Sequence, residues 1–199
     1  MSPQIENTGQ LTASHYSVQW SLLGPIESID MVERQEMLLR IVDQKPEFFR
    51  GKKVLVAGCS YGWEVASFHG FGAKVTGVDL YVEKAREFIR RKGITESEVT
   101  LLQQNIESLD LPTDEYEYVY CNGVLHYTQN SEAGLKNIAR VLRPGGELLL
   151  ALYGSGGWFW RAVHFSRLIA KMLTGLGLGV KTASAVISAI PGAQRHLVV

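Results

Sequence analysis

The chain has 199 residues, of which 46% are hydrophobic and 20% are charged, and its 20 basic side chains are balanced by 20 acidic ones. This length supports one substantial hydrophobic core rather than two, and the composition excludes a disordered chain, which would be poorer in apolar residues. Two cysteines are too few for a disulfide scaffold, so Cys59 and Cys121 are predicted to be reduced thiols. The first residues lack the basic and then apolar layout of a secretory signal, which favours a cytoplasmic location.

The elements are predicted in chain order from apolar spacing. An amphipathic helix over residues 28–44 follows a polar stretch that carries Tyr16 and Trp20. Short apolar runs then predict five strands, at 54–57, 74–78, 99–103, 116–121 and 147–152, with helices at 63–68, 81–92 and 131–142. Buried strands separated by helical connections are typical of a mostly parallel sheet covered on both faces. We therefore predict an α/β fold with a Rossmann-like, doubly wound sheet.

Three segments are predicted along the chain. Residues 1–50 form an N-terminal arm and helix, 51–154 form the core, and 155–199 form a basic, apolar helical segment. The last segment has five basic side chains and no acidic one, and its charges interrupt the apolar run, which disfavours a membrane-spanning helix. It is interpreted as a cap over the core or as a truncated extension, and contact with an anionic membrane surface through residues 158–181 is a further alternative. Because the core itself is mildly acidic, a nucleic-acid partner is not expected.

A glycine-rich turn follows the first strand. Residues 58–62 read G-C-S-Y-G, and such a turn lets the backbone approach a ligand closely at the N-terminus of the next helix. The dinucleotide fingerprint G-x-G-x-x-G is not met, since its second and third glycine positions hold Ser60 and Trp63, which disfavours a nicotinamide enzyme. Asp79 closes the second strand, where a carboxylate can accept hydrogen bonds from a ribose; a helix N-terminal acid is the alternative interpretation.

Five short motifs in order resemble class I S-adenosylmethionine-dependent methyltransferases that act on small molecules, and the resemblance extends over about residues 50–154. After the glycine turn, these are V-D-L at 78–80, Q-N-I at 104–106, N-G-V-L-H-Y-T at 122–128, and I-A-R-V-L-R-P-G-G at 138–146. The resemblance implies S-adenosylmethionine as the cofactor, with its amino-acid end at the glycine turn, its ribose at Asp79 and its adenine near residues 104–106. The cofactor-binding residues that it implies are Gly58, Cys59, Ser60, Tyr61, Gly62, Asp79, Leu80, Asn105, Ile106 and Cys121.

Three positions depart from the family pattern. Val56 stands where the family often has an acid in the first strand, Ser60 replaces the middle glycine, and Asn105 replaces an aspartate that contacts adenine. The side-chain carbonyl of Asn105 retains an acceptor. The family's last two strands are also not recognisable after residue 154.

The chemistry that the resemblance implies is an in-line displacement, in which the protein mainly holds the methyl donor and the acceptor in line. His126 is the candidate general base because it follows the fourth strand, and the alternative is that it only orients its loop. Cys59 is interpreted as a small residue beside the cofactor rather than as a nucleophile. The five histidines are scattered along the chain, so no metal site is predicted.

Three functions are therefore weighed. The first is methyl transfer to a small-molecule acceptor, with an aromatic arm around Tyr16 and Trp20 closing over the site. The second is a catalytically silent domain that binds S-adenosylmethionine or a partner. The third is a peripheral-membrane methyltransferase with a lipid-like acceptor, which rests on the basic C-terminal segment.

Overall fold

A computed structural model describes residues 30–152 of the chain. In chain order, its helices and strands are α1 (Met31–Val42), β1 (Lys53–Ala57), α2 (Trp63–Gly70), β2 (Lys74–Asp79), α3 (Glu83–Arg91), β3 (Val99–Gln103), β4 (Tyr116–Asn122), α4 (Ser131–Val141) and β5 (Leu142–Ala151). Short 3₁₀ turns lie at Pro46–Phe49, Ile106–Ser108 and Leu125–Tyr127. The predicted arm residues Tyr16 and Trp20, and the C-terminal segment 155–199, lie outside the described residues.

The five strands form one sheet in the order β3-β2-β1-β4-β5, and all four neighbouring pairs are parallel. The predicted α/β fold with a doubly wound parallel sheet is confirmed. From β1 the chain adds β2 and β3 on one side of the sheet, and it then returns to add β4 and β5 on the other side of β1. The switch point of the topology therefore lies between β1 and β4. In such sheets, the crevice at the carboxyl ends of the strands beside this point binds ligands.

The last strand begins earlier than the sequence predicts. β5 starts at Leu142 instead of residue 147, because Leu142 pairs with Tyr116 before Glu147 pairs with Tyr118. Two steps along β4 therefore correspond to five along β5, and the extra residues form the R-P-G-G turn, where Gly145 has a φ of 75°. The R-P-G-G turn therefore interrupts a strand instead of preceding it.

Two hydrophobic layers enclose the sheet. On one face, the rings of Phe49, Phe68 and Tyr118 meet edge to face or at a tilt, with centroids 4.9 to 6.0 Å apart, under α1, α2 and α3. On the other face, Ile138 and Val141 of α4 are fully buried against the sheet. Alternate side chains of a buried strand face opposite layers, which explains the continuous apolar runs of the sequence. Within residues 30–152, no helix is long and apolar enough to cross a membrane.

Candidate functional site

Four segments meet at the carboxyl edge of the sheet. The glycine turn 58–62 follows β1, Asp79 ends β2, residues 104–106 follow β3, and the 3₁₀ turn Leu125–Tyr127 follows β4. Because these strands are parallel and adjacent, their following loops open on the same edge. The structure therefore brings together all the segments in which the sequence predicts cofactor-binding residues.

The glycine turn is fixed by its own backbone. The N–H groups of Gly58 and Cys59 donate to the carbonyl oxygen of Val78, at 2.8 and 3.0 Å. Gly58 has a φ of 79°, and a Cβ placed on it would overlap Cγ2 of Val124 and lie 3.0 Å from its Cγ1. Position 58 thus requires glycine for both conformation and space. Ser60 has a φ of 46°, a conformation that costs a non-glycine residue about 1–2 kcal/mol.

The turn leads directly into α2. Gly62 is the N-cap residue of this helix, with a φ of 87°, and no side chain caps the first turn. The leading N–H groups of a helix have no partner inside it, and they carry a partial positive charge. The N-terminus of α2 is therefore a suitable place for a carboxylate such as the one at the amino-acid end of S-adenosylmethionine.

Asp79 is held against the turn by backbone groups. Its Oδ2 accepts from the N–H of Ser60 at 2.8 Å, and its Oδ1 accepts from the N–H of Tyr81 at 3.2 Å. Burial raises the pKa of this carboxyl above 3.8, while hydrogen bonds from the backbone act in the opposite direction. The backbone N–H of Leu80 also contributes a hydrogen bond to this carboxylate. A carboxylate has about four acceptor positions, so at least one remains for a further donor, and the arrangement fits a ribose hydroxyl group that donates to Asp79.

The loop after β3 differs from the expectation in detail. Asn105 lies at the predicted edge, but its Oδ1 accepts from the N–H of Glu107 at 2.9 Å and caps the 3₁₀ turn Ile106–Ser108. The side-chain carbonyl oxygen of Asn105, which the sequence predicts as an acceptor beside adenine, therefore already accepts a hydrogen bond within its own loop. The side chain of Ile106 is only 7% exposed and packs in the core. A ligand in this region reaches Ile106 through its backbone.

The two cysteines have no exposed surface in the structure. Burial raises the pKa of Cys59, and it raises that of Cys121 to about 12. A thiol with a raised pKa is a poor nucleophile, in agreement with the interpretation of Cys59 as a non-nucleophile. Neither side chain lines an open surface, however, so contact with a ligand here is limited to backbone atoms. Of the other predicted residues, Tyr61 is buried beside Trp63, and Leu80 is 38% exposed.

His126 lies in the turn after β4, near the mouth of the site. Its ring centroid is 4.0 Å from that of Tyr127, and the side chain is partly buried. Burial lowers the pKa of His126 below its ordinary value of 6.5. The imidazole is therefore neutral near pH 7, which is the form that can accept a proton.

Two acids at this edge were missed by the sequence reasoning. Glu107 accepts at its Oε1 from the N–H groups of Gln129 and Asn130, at 2.6 and 3.1 Å, and so joins the loop after β3 to the loop before α4. Glu64 is the second residue of α2 and is partly buried directly behind the glycine turn. An acid in the first turn of a helix is common, so only the three-dimensional surroundings distinguish Glu64.

Comparisons with known proteins agree on one family. Residues 55–150 match a family model described as a methyltransferase domain. The ubiquinone biosynthesis O-methyltransferase of Pectobacterium atrosepticum is 28% identical over 158 residues, which are 77% of this chain and 64% of that protein. The S-adenosyl-L-methionine-dependent Diels-Alderase iccD of Talaromyces variabilis is 28% identical over 104 residues, which are 50% of this chain and 36% of that protein. The chain thus spans less than two thirds of the length of these relatives.

Solved structures show the same fold. The YcgJ protein of Bacillus subtilis superposes with a TM-score of 0.55 at 22% identity, over 69% of this chain and 58% of that one. The [4+2]-cyclase SpnF superposes with a TM-score of 0.52 at 21% identity, over 57% of this chain and 43% of that one. Both support the Rossmann-like architecture derived above.

Proposed function

We propose that this chain, whose residues 55–150 match a methyltransferase domain, is a class I S-adenosylmethionine-dependent methyltransferase. It binds S-adenosylmethionine at the carboxyl edge of its sheet and catalyses methyl transfer to a small-molecule acceptor. The hydrogen bond from the N–H of Ser60 to Oδ2 of Asp79, 2.8 Å long, is the observation that carries this proposal. It fixes Asp79, the only acid that ends a described strand, directly against the glycine turn that follows the neighbouring strand β1.

Each part of the cofactor has a counterpart along this edge. The amino-acid end lies at residues 58–62 and the N-terminus of α2, and a ribose hydroxyl group donates to Asp79. The adenine lies between the exposed side chain of Leu80 and the loop at Asn105, whose amide group donates to a ring nitrogen while its carbonyl oxygen caps the turn. Contact with the cofactor at Cys59, Ile106 and Cys121 is made by backbone atoms, because the side chains of these residues are buried.

The bound sulfonium supplies an electrophilic methyl group, and the protein supplies alignment. Holding the two reactants in line and close together contributes up to about 7–11 kcal/mol in favourable cases. The names of the ubiquinone relatives support an oxygen acceptor. A hydroxyl acceptor must lose its proton, and the neutral imidazole of His126 is the group at the mouth of the site that can accept it. We further propose a cytoplasmic location.

Calorimetric titration with S-adenosylhomocysteine tests the cofactor site without knowledge of the acceptor. We expect binding by the wild-type chain and its loss in Asp79→Ala. Glu132→Ala is the matched control, because Glu132 is 76% exposed on α4 and its ion pair with Lys136 contributes little. A folded wild-type chain that does not bind, or an Asp79→Ala variant that binds as well as wild type, would refute the proposal. His126→Gln should then retain binding and lose transfer to a hydroxyl acceptor; retained transfer assigns His126 to orienting its loop.

A second candidate function is cofactor binding without methyl transfer. It is favoured by the matched Diels-Alderase, whose name gives a cycloaddition that depends on S-adenosylmethionine. Incubation with methyl-labelled S-adenosylmethionine and a panel of phenols, amines and acidic C–H compounds distinguishes the two. Labelled product supports the methyltransferase, whereas tight binding without label transfer across the panel supports the second function.

The peripheral-membrane alternative rests on the basic segment, whose residues 158–181 lie outside the described structure. Sedimentation with anionic liposomes tests it. Binding that is lost on deletion of residues 158–199 supports a lipid-like acceptor, and sedimentation that the deletion does not change removes this alternative.

A further inference from the structure

One acid near the glycine turn has no role in the function proposed above. Glu64 is partly buried, and the only hydrogen bond to its carboxylate among residues 30–152 comes from its own backbone N–H. In the same part of the chain, no cation lies within 4 Å of it. Burial raises the pKa of this carboxyl and outweighs the hydrogen bond from its own backbone and the positive charge of Arg34, which both lower it.

Neighbouring groups show where the carboxylate lies. The negative charge of Glu64 helps to raise the pKa of Cys59, in the glycine turn, and that of Tyr120, near the end of β4. Glu64 also lines one cavity together with Tyr120 and Asn122. Its side chain therefore lies near the end of β4, on the side of the switch point that the resemblance assigns to the amino-acid end of the cofactor.

A small cavity adjoins this carboxylate. Its volume is about 40 Å³, and its lining includes Arg34, Trp63, Glu64, Ser67, Tyr120 and Asn122. A water molecule occupies about 30 Å³ in the liquid, so the cavity suits a group of the size of water or of an ammonium ion.

Three other polar side chains of this lining, those of Arg34, Ser67 and Asn122, have partners among the described residues. The guanidinium of Arg34 lies 3.9 Å from the centroid of the Trp63 ring. The hydroxyl of Ser67 donates to the carbonyl oxygen of Trp63 at 2.8 Å, and Nδ2 of Asn122 donates to the Tyr120 hydroxyl at 2.8 Å. Among the described residues, Glu64 has no ion pair within 4 Å, and the positive charge of Arg34 in the same lining acts on it without outweighing burial.

We propose that Glu64 binds the α-ammonium group at the amino-acid end of S-adenosylmethionine. The inference rests on the proposed function and assigns a specific residue within it. Position 56, where the family often has an acid, is a fully buried valine in β1. Glu64 supplies a carboxylate from the adjacent helix instead, and an incoming ammonium group supplies a cation at hydrogen-bond distance, closer than the charge of Arg34 that already acts on this acid.

The test compares two ligands that differ at the amino-acid end. S-adenosylhomocysteine carries the ammonium and carboxylate groups, whereas 5′-methylthioadenosine has the same nucleoside and sulfur without them. Both are titrated calorimetrically into wild type, Glu64→Gln and Asp79→Ala, with Glu83→Gln, a 72% exposed acid at the start of α3, as the matched control. Glutamine preserves the size of the side chain and removes its charge.

We expect Glu64→Gln to lower the affinity for S-adenosylhomocysteine about tenfold or more, as for the loss of a charge-assisted hydrogen bond. The affinity for 5′-methylthioadenosine should stay within about twofold of the wild-type value. Asp79→Ala should weaken both ligands, because both contain the ribose. Equal losses of the two ligands in Glu64→Gln, or no loss of either, would overturn the assignment of Glu64 while leaving the cofactor site intact. If neither ligand binds the wild-type chain, the proposed function itself fails.

Discussion

Replacing Gly58 with alanine tests the packing on which the whole site depends. The added Cβ would overlap Cγ2 of Val124 and lie 3.0 Å from Cγ1, whereas carbon atoms in contact are about 3.5–4.0 Å apart. The φ of 79° also places alanine in the left-handed region. Gly58→Ala therefore combines backbone strain with a steric clash between the loops after β1 and β4.

The two effects have separate magnitudes. Left-handed strain costs about 1–2 kcal/mol for a non-glycine residue, and overpacking of a close-packed site costs about 1–3 kcal/mol. Together they lower the free energy of unfolding by about 2–5 kcal/mol, a large part of the roughly 5–15 kcal/mol typical of a domain.

Urea denaturation measures this loss, and Gly93→Ala is the matched control. Gly93 has a φ of 75°, and a Cβ placed on it meets no atom within 4 Å, so this variant reports the strain alone at about 1–2 kcal/mol. In the Gly58→Ala background, Val124→Ala should recover part of the steric loss. If Gly58→Ala costs no more than Gly93→Ala, or if shortening Val124 recovers nothing, the described packing of the two loops is wrong.

Three further predictions use the same site. Ser60→Gly should raise the free energy of unfolding by up to about 1 kcal/mol, since relief of strain exceeds the flexibility cost of glycine; a loss of stability in urea denaturation would contradict this. Cys59 and Cys121 should both resist a thiol-reactive dye at pH 8 in the native protein and react in urea, because both are buried and their pKa values are raised; one thiol reacting under native conditions would refute the described burial. Burial raises the pKa of Asp79, and ribose donors favour its charged form, so binding of 5′-methylthioadenosine should release a proton. The affinity should therefore fall as the pH is lowered through a value above 3.8. An affinity that does not depend on pH in that range, or an equal pH dependence in Asp79→Asn, would argue against the contact.

The sheet could be predicted from the sequence because its strands are buried on both faces. Such strands are short apolar runs, and glycine, aspartate or asparagine follows them where the chain must turn. The predicted ends agree with the structure to within one or two residues for β1, β2, β3 and β4. β5 is the exception, because pairing of Leu142 with Tyr116 depends on contacts between distant residues and leaves no local signal.

The sequence predicted which segments form the site more accurately than it predicted which side chains face a ligand. Sequence position places Cys59, Ile106 and Cys121 at the edge, but whether a side chain there faces ligand or core depends on the packing of α2 and α4, and all three face the core. Asn105 carried a usable signal, since an asparagine often accepts from the N–H two residues later and begins a turn. Glu64 carried none, because its burial and the lack of a cation within 4 Å among residues 30–152 become visible only when the surrounding side chains are placed.

The substitution of the family's middle glycine by Ser60 has a structural explanation. What this position contributes is a backbone N–H, which donates to Asp79, and a serine supplies that group as well as a glycine does. The neighbouring N–H groups of Gly58 and Cys59 bind the carbonyl oxygen of Val78, one residue before Asp79. The loop after β1 is thus attached to the end of β2 by three hydrogen bonds from its backbone. Side chains in the turn can therefore vary where φ and space allow, whereas loss of the Asp79 carboxylate removes one of these three hydrogen bonds and leaves the two to Val78.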